Sequence, residues 1–117
     1  MSRDPIAYKV LTGEQLATLE SGSFAGAPVD VADGYIHLST RDQVEETARR
    51  HFVGRSGLSL LTVDLTRLGD AVVWEPSRGG DLFPHLYGVL PASAVTAQRV
   101  FSVDGDGALI FADGARA

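Results

Sequence analysis

The stretch from Leu58 to Leu65 is a near-continuous apolar run, and it constrains the fold more than any other feature of the chain. It is far too short to cross a bilayer, which takes roughly 20 apolar residues. It reads as a central strand buried on both faces. Such a strand needs neighbours on either side and a covering layer above and below.

The rest of the chain supplies short elements. Ile6–Leu11 follows Pro5 and reads as a first strand. Thr12 and Gln15 form a capping-box pattern that starts a helix carrying Leu16 and Leu19 on its apolar face. That helix is expected to stop near Ser21-Gly22. Residues 22–34 are rich in Gly, Ala, Pro and Asp, and read as a long loop ending in an Asp33-Gly34 turn. Tyr35–Leu38 reads as a short strand. Thr40 and Gln43 repeat the capping logic, and Val44, Ala48 and Phe52 give the second helix an inner face stopped at Gly54. Thr66–Asp70 is a turn and Ala71–Trp74 a strand. Residues 75–84 read as an ordered loop, Leu86–Leu90 as a strand and Pro91–Ala94 as a helical turn. Gln98–Val103 and Ala108–Phe111 read as a hairpin. The tail after Ala112 is expected to be loose. The sum is an α+β domain with two early helices and six or seven short strands, mixed or antiparallel.

At 117 residues the chain suits a single domain, residues 1–117, with a core over about 6–111. It is 44% hydrophobic and 21% charged, which is ordinary for a globular domain and argues against disorder. No apolar run approaches the length of a membrane span, and Met1–Pro5 carries no secretory pattern. Cysteine is absent, which removes disulfides and thiolate metal sites and fits a reducing cytoplasm. The net charge of −5 argues against nucleic acid and anionic membranes as partners. Lys9 is the single lysine beside nine arginines. Arginine suits planar carboxylate and phosphate partners, although a high-GC codon bias explains the imbalance as well or better.

Two segments concentrate the polar chemistry. In the first, alternation puts Tyr35, His37 and Ser39 on one strand face and Ile36 and Leu38 on the other. The polar row can hydrogen-bond a ligand, with Ser39 or Thr40 also at a helix N-terminus suited to an anion. Equally, His37 can be a structural histidine and Ser39 or Thr40 a plain cap. In the second segment, Glu75 adjoins Trp74, a setting that can perturb a carboxyl by desolvation. The alternative for Glu75 is a salt bridge to Arg78. Phe83, His85 and Tyr87 share an alternation face and can stack on a flat ring, or else brace the sheet as an aromatic ladder. Arg78-Gly79-Gly80 can form a phosphate nest or a wide turn. There is no Walker-type loop or dinucleotide Gly-x-Gly-x-x-Gly fingerprint, no short metal-ligand spacing and no nucleophile elbow. His51, late on the second helix beside Arg49 and Arg50, reads as a surface residue complementing the helix dipole.

The blocks Asp33–Thr40, Gln43-Val44, Ala48, Trp74-Glu75 and Phe83–Gly88 resemble the small bacterial family called domain of unknown function 952, over about Tyr8 to Phe101. That family is similar in fold to the ADP-ribosyltransferases. The resemblance therefore implies two small sheets, mixed or antiparallel, with short helices, flanking a cleft that takes NAD as substrate or another ADP-ribose-containing ligand, with no metal. It implies catalytic roles for His37, Glu75 and His85. It implies ligand contacts from Ser39, Thr40, Trp74, Arg78, Phe83 and Tyr87. The first strand offers Tyr8 and Lys9 where such enzymes carry His or Arg. A non-catalytic nucleotide- or metabolite-binding module, and a structural domain with no ligand, are the competing readings.

Overall fold

The computed structural model describes residues 5–112, apart from the Arg78 side chain. The expectations for residues 1–4 and for the tail after Ala112 lie outside them. The architecture is α+β, with every strand pairing antiparallel. The strands are β1 (Ile6–Leu11), β2 (Ser23–Phe24), β3 (Ile36–His37), β4 (Leu58–Asp64), β5 (Val72–Pro76), β6 (Leu82–Leu86), β7 (Leu90–Pro91), β8 (Val95–Val103) and β9 (Leu109–Phe111). The helices are α1 (Gly13–Glu20), α2 (Pro28–Asp33) and α3 (Arg41–Phe52), with short 3-10 turns between later strands, two of them between β4 and β5.

The strands form three sheets, not two, in the orders β1-β4-β8-β9, β2-β7 and β3-β6-β5. The apolar run is the inner strand β4, paired with β1 on one side and β8 on the other. Its side chains feed two cores. Leu61 and Val63 pack with Ala7, Leu11, Ile36, Leu38 and Leu86. Leu58 and Leu60 pack with Val10, Phe101 and Phe111, beneath Ala48 and Phe52 of α3. Burial of both faces explains why the run shows no alternation.

Both capping patterns form, and both helices begin where they predict. Gln15 Oε1 accepts from Thr12 N at 3.0 Å, and Thr12 Oγ1 accepts from Gln15 N at 3.3 Å. Gln43 Oε1 accepts from Thr40 N at 3.0 Å. The Gln43 amide also donates to Leu82 O at 2.8 Å, tying the start of α3 to β6.

Three expectations are corrected. Residues 22–34 are not a loop: they hold β2 and α2. Pro28 occupies the first turn of α2, where its missing N–H costs nothing, and Asp30 accepts from Ala27 N at 2.8 Å. Val29 and Val31 are exposed, so α2 has no apolar stripe for a periodicity search to find. Residues 75–84 are not a loop either. They close a hairpin whose last pair is Pro76 with Leu82. Pro76 lies on the edge strand β5, and Pro84 serves the ladder through its carbonyl, which accepts from Leu38 N at 3.1 Å. The strand expected over Leu86–Leu90 therefore lies earlier, at β6, and Leu90–Pro91 pairs with β2 instead.

Candidate functional site

The three-stranded sheet builds the site by its register. His37 of β3 lies opposite His85 of β6, and Glu75 of β5 lies opposite Phe83. Directly opposed residues share a face, and so do residues two apart. One face therefore carries His37, Val73, Glu75, Phe83 and His85. The other carries Ile36, Val72, Trp74, Pro84 and Leu86, and packs into the first core.

This sorting separates Trp74 from Glu75. Adjacent strand residues point to opposite faces, so the indole packs against the core and does not desolvate the carboxylate. Glu75 meets two donors instead. Tyr87 OH donates to Glu75 Oε1 at 2.7 Å, and His85 Nδ1 stands 2.8 Å from the same oxygen. These bonds, Tyr87 foremost, hold the Glu75 carboxyl below its ordinary range. The same contact pushes the Tyr87 phenol up to about 12, so it stays a donor at neutral pH.

Tyr35 stacks on His85, with ring centroids 4.1 Å apart and planes at 24°. It also lies 4.8 Å from the His37 ring and 5.2 Å from Tyr87. Burial, then the nearby charges of Asp33 and Glu75, raise the Tyr35 phenol above its usual value. His37 and His85 meet edge to face at 5.5 Å.

A second polar cluster abuts the first. Asp30, fully buried on α2, accepts from Lys9 Nζ at 3.0 Å, from Ala27 N at 2.8 Å and from His37 N at 3.0 Å. His37 Nδ1 stands 2.5 Å from Asp30, and His37 Nε2 stands 3.0 Å from Asp33. Burial by itself would raise the Asp30 carboxyl. Lys9, His37 and Ala27 outweigh it and hold the group below its ordinary range. Burial draws the Lys9 ammonium down even with Asp30 alongside. Asp30, which collects the hydrogen bonds, is the partner whose ionised form the site favours.

A cleft of about 340 Å³ opens between these clusters and α3. His37, Ser39, Phe83 and His85 line it, as do Lys9 and Asp30. Ser39 Oγ lies 3.2 Å from Thr47 Oγ1 within it. His51, read from the sequence as a surface residue, is exposed and lines the cleft as well. Thr40 caps α3, while Glu75 and Tyr87 stand behind His85, outside the lining. Arg78 begins a 3-10 turn whose Gly80 amide donates to Ser77 O at 2.7 Å, and its side chain lies outside the described residues. Among the described residues, no group of three or more His, Asp or Glu side chains is arranged to hold a metal ion.

Sequence reasoning missed Asp30 and the role of Lys9. The available signal was an acidic residue two positions after Pro28, the pattern of a helix start.

Residues 10–98 match the family described as "Protein of unknown function (DUF952)". The chain is similar to the crystal structure of protein CC0527 from Caulobacter crescentus, with 41% identity and a TM-score of 0.82, over 96% of this chain and 93% of that one. It is likewise similar to the solution NMR structure of CC0527, with 43% identity and a TM-score of 0.77, over 89% of this chain and 90% of that one. No curated protein matches the sequence.

Proposed function

The chain belongs to the DUF952 family, and we propose that it is a single-domain, cytoplasmic, ADP-ribosyltransferase-like enzyme whose cleft takes NAD or another ADP-ribose-containing ligand. The observation that carries this reading is the convergence of His37, Ser39 and His85 at a cleft beside the start of α3, with Tyr35 stacked on the His85 ring. Stacked rings next to hydroxyl and imidazole groups suit a nicotinamide ribose. Pockets for small ligands run to about 300–1,000 Å³, and this cleft lies near the lower end, so half of the dinucleotide would sit inside it.

Further support comes from the first strand. Tyr8 N donates to Ser39 O at 2.7 Å, and Ser39 N donates to Tyr8 O at 2.9 Å. This bridge sets β1, with Tyr8 and Lys9, against the segment leading into α3. In this reading His37 and Ser39 contact the ribose or the nicotinamide amide, and Thr40 caps the helix beside them. Phe83 packs on the ring. Glu75 stands outside the cleft lining, so in this reading its negative charge acts through the His85 ring bonded to Oε1 and favours the positive charge that develops as the glycosidic bond breaks. Arg78 holds pyrophosphate, and Trp74 supports the strand from behind.

Ligand-observed NMR with NAD, ADP-ribose and 2′-phosphorylated RNA tests the proposal. Binding of NAD with release of nicotinamide over hours is the expected result. No binding at millimolar ligand would sink it. One observation favours a second reading, a non-catalytic binding module: Lys9, at the position of the usual His or Arg, is tied to Asp30. Binding without nicotinamide release would support that reading.

A further inference from the structure

His85 is 2% exposed, and its two ring nitrogens have different surroundings. Nδ1 faces Glu75, whereas Nε2 is buried with no partner among the described residues. Glu75 already accepts from Tyr87 OH and is held in its ionised form, so it can only accept. Nδ1 must therefore carry the proton that bridges the two side chains. A proton on Nε2 as well would be a buried donor with no acceptor, a costlier arrangement than an unfilled lone pair. His85 lines the cleft while Glu75 does not, and Nε2, closed to solvent in this structure, is the ring nitrogen that Glu75 leaves unengaged.

We propose that His85 Nε2 is the proton acceptor for an O–H nucleophile bound in the cleft, with Glu75 Oε1 and Tyr87 as positioning groups that fix its tautomer. This rests on the NAD reading for the electrophile and adds the acceptor class: water or an alcohol. The step balances. The hydroxyl proton passes to Nε2 while the hydroxyl oxygen bonds to the anomeric carbon. The carbon–nitrogen glycosidic bond breaks, and its electron pair stays on the nicotinamide ring nitrogen, which leaves neutral. The imidazolium formed is stabilised through Nδ1–H by Glu75 and then returns its proton to solvent. The stack of Tyr35 on the imidazole holds the ring plane during the transfer.

Nitrogen-15 NMR of the histidine rings in the full chain, free and titrated with ADP-ribose, tests this. The free protein should show His85 protonated at Nδ1 and bare at Nε2; the opposite tautomer would overturn the proposal outright. On titration, the Ser39 and Phe83 amides should shift together with His85 Nε2, while Nδ1 keeps its proton. Shifts of those amides with an unmoved Nε2 would overturn the role of His85 and leave the NAD reading standing. No shift anywhere in the cleft would overturn both. Glu75→Gln gives an independent arm, because its amide can donate to Nδ1. It should populate the Nε2-protonated tautomer and lose the Nε2 response, whereas a merely bracing Glu75 would leave the tautomer unchanged.

Discussion

Asp30 shows how one residue can carry both stability and site geometry. It holds the Lys9 ammonium, the entry of α2 through Ala27 N, and the backbone and ring of His37. Removing one partner of a buried ion pair leaves the other charge uncompensated, which typically costs about 3–5 kcal/mol. Asp30→Asn should therefore lose stability on that scale in urea unfolding; a loss under about 1 kcal/mol would mean that the cluster is not a structural hub. The acid dependence has a definite sign. The folded pKa of Asp30 lies below its ordinary value of 3.8, so the stabilisation is present above that pH and is lost as pH falls through the folded value. The wild-type protein should lose stability as pH drops below about 4, with the Asp30→Asn curve flatter over the same range. Asp30 escaped sequence reasoning because its partners come from separate elements, and no spacing encodes them. His37 and His85 were visible as candidates, but their direct opposition was not, because it comes from the pairing of two strands distant in sequence.

At the scale of elements, α2 is the instructive case. It is held by a proline, an internal carboxylate and a glycine terminus, not by an apolar stripe. Gly34 closes it at φ 88° in open space, so Gly34→Ala should cost only the backbone strain, about 1 kcal/mol. Gly26 is tighter. It sits at φ 129°, and a Cβ there would come within 2.9 Å of the Asp30 Cβ. Gly26→Ala should cost clearly more than Gly34→Ala and should shift the His37 resonances, because it pushes on Asp30. Equilibrium unfolding of both variants decides the order, and equal losses would contradict this account. The helices α1 and α3 were legible because capping residues and apolar spacing are local signals. The hairpin β5–β6 was not, because Pro76, Gly79, Gly80 and Pro84 look like loop residues until an edge position and a carbonyl-only contact accommodate the prolines.

Across the whole molecule, stability should be graded from the four-stranded sheet outward. β4 is paired on both sides and buried between two cores, whereas β5 is the edge of its sheet. Hydrogen exchange should be slowest in β4 and faster in β5, and similar protection in the two would count against this gradient. By itself the sequence determined the α+β class, the central strand, the two capped helices and the polar segments around His37 and His85, because each rests on short-range patterns of polarity and backbone preference. Tertiary structure alone decided that there are three sheets, that Trp74 and Glu75 serve opposite faces, and that Asp30 gathers Lys9 and His37 beside the cleft. Those outcomes depend on which strands pair and in what register, and a one-residue slip would exchange the two faces of the sheet.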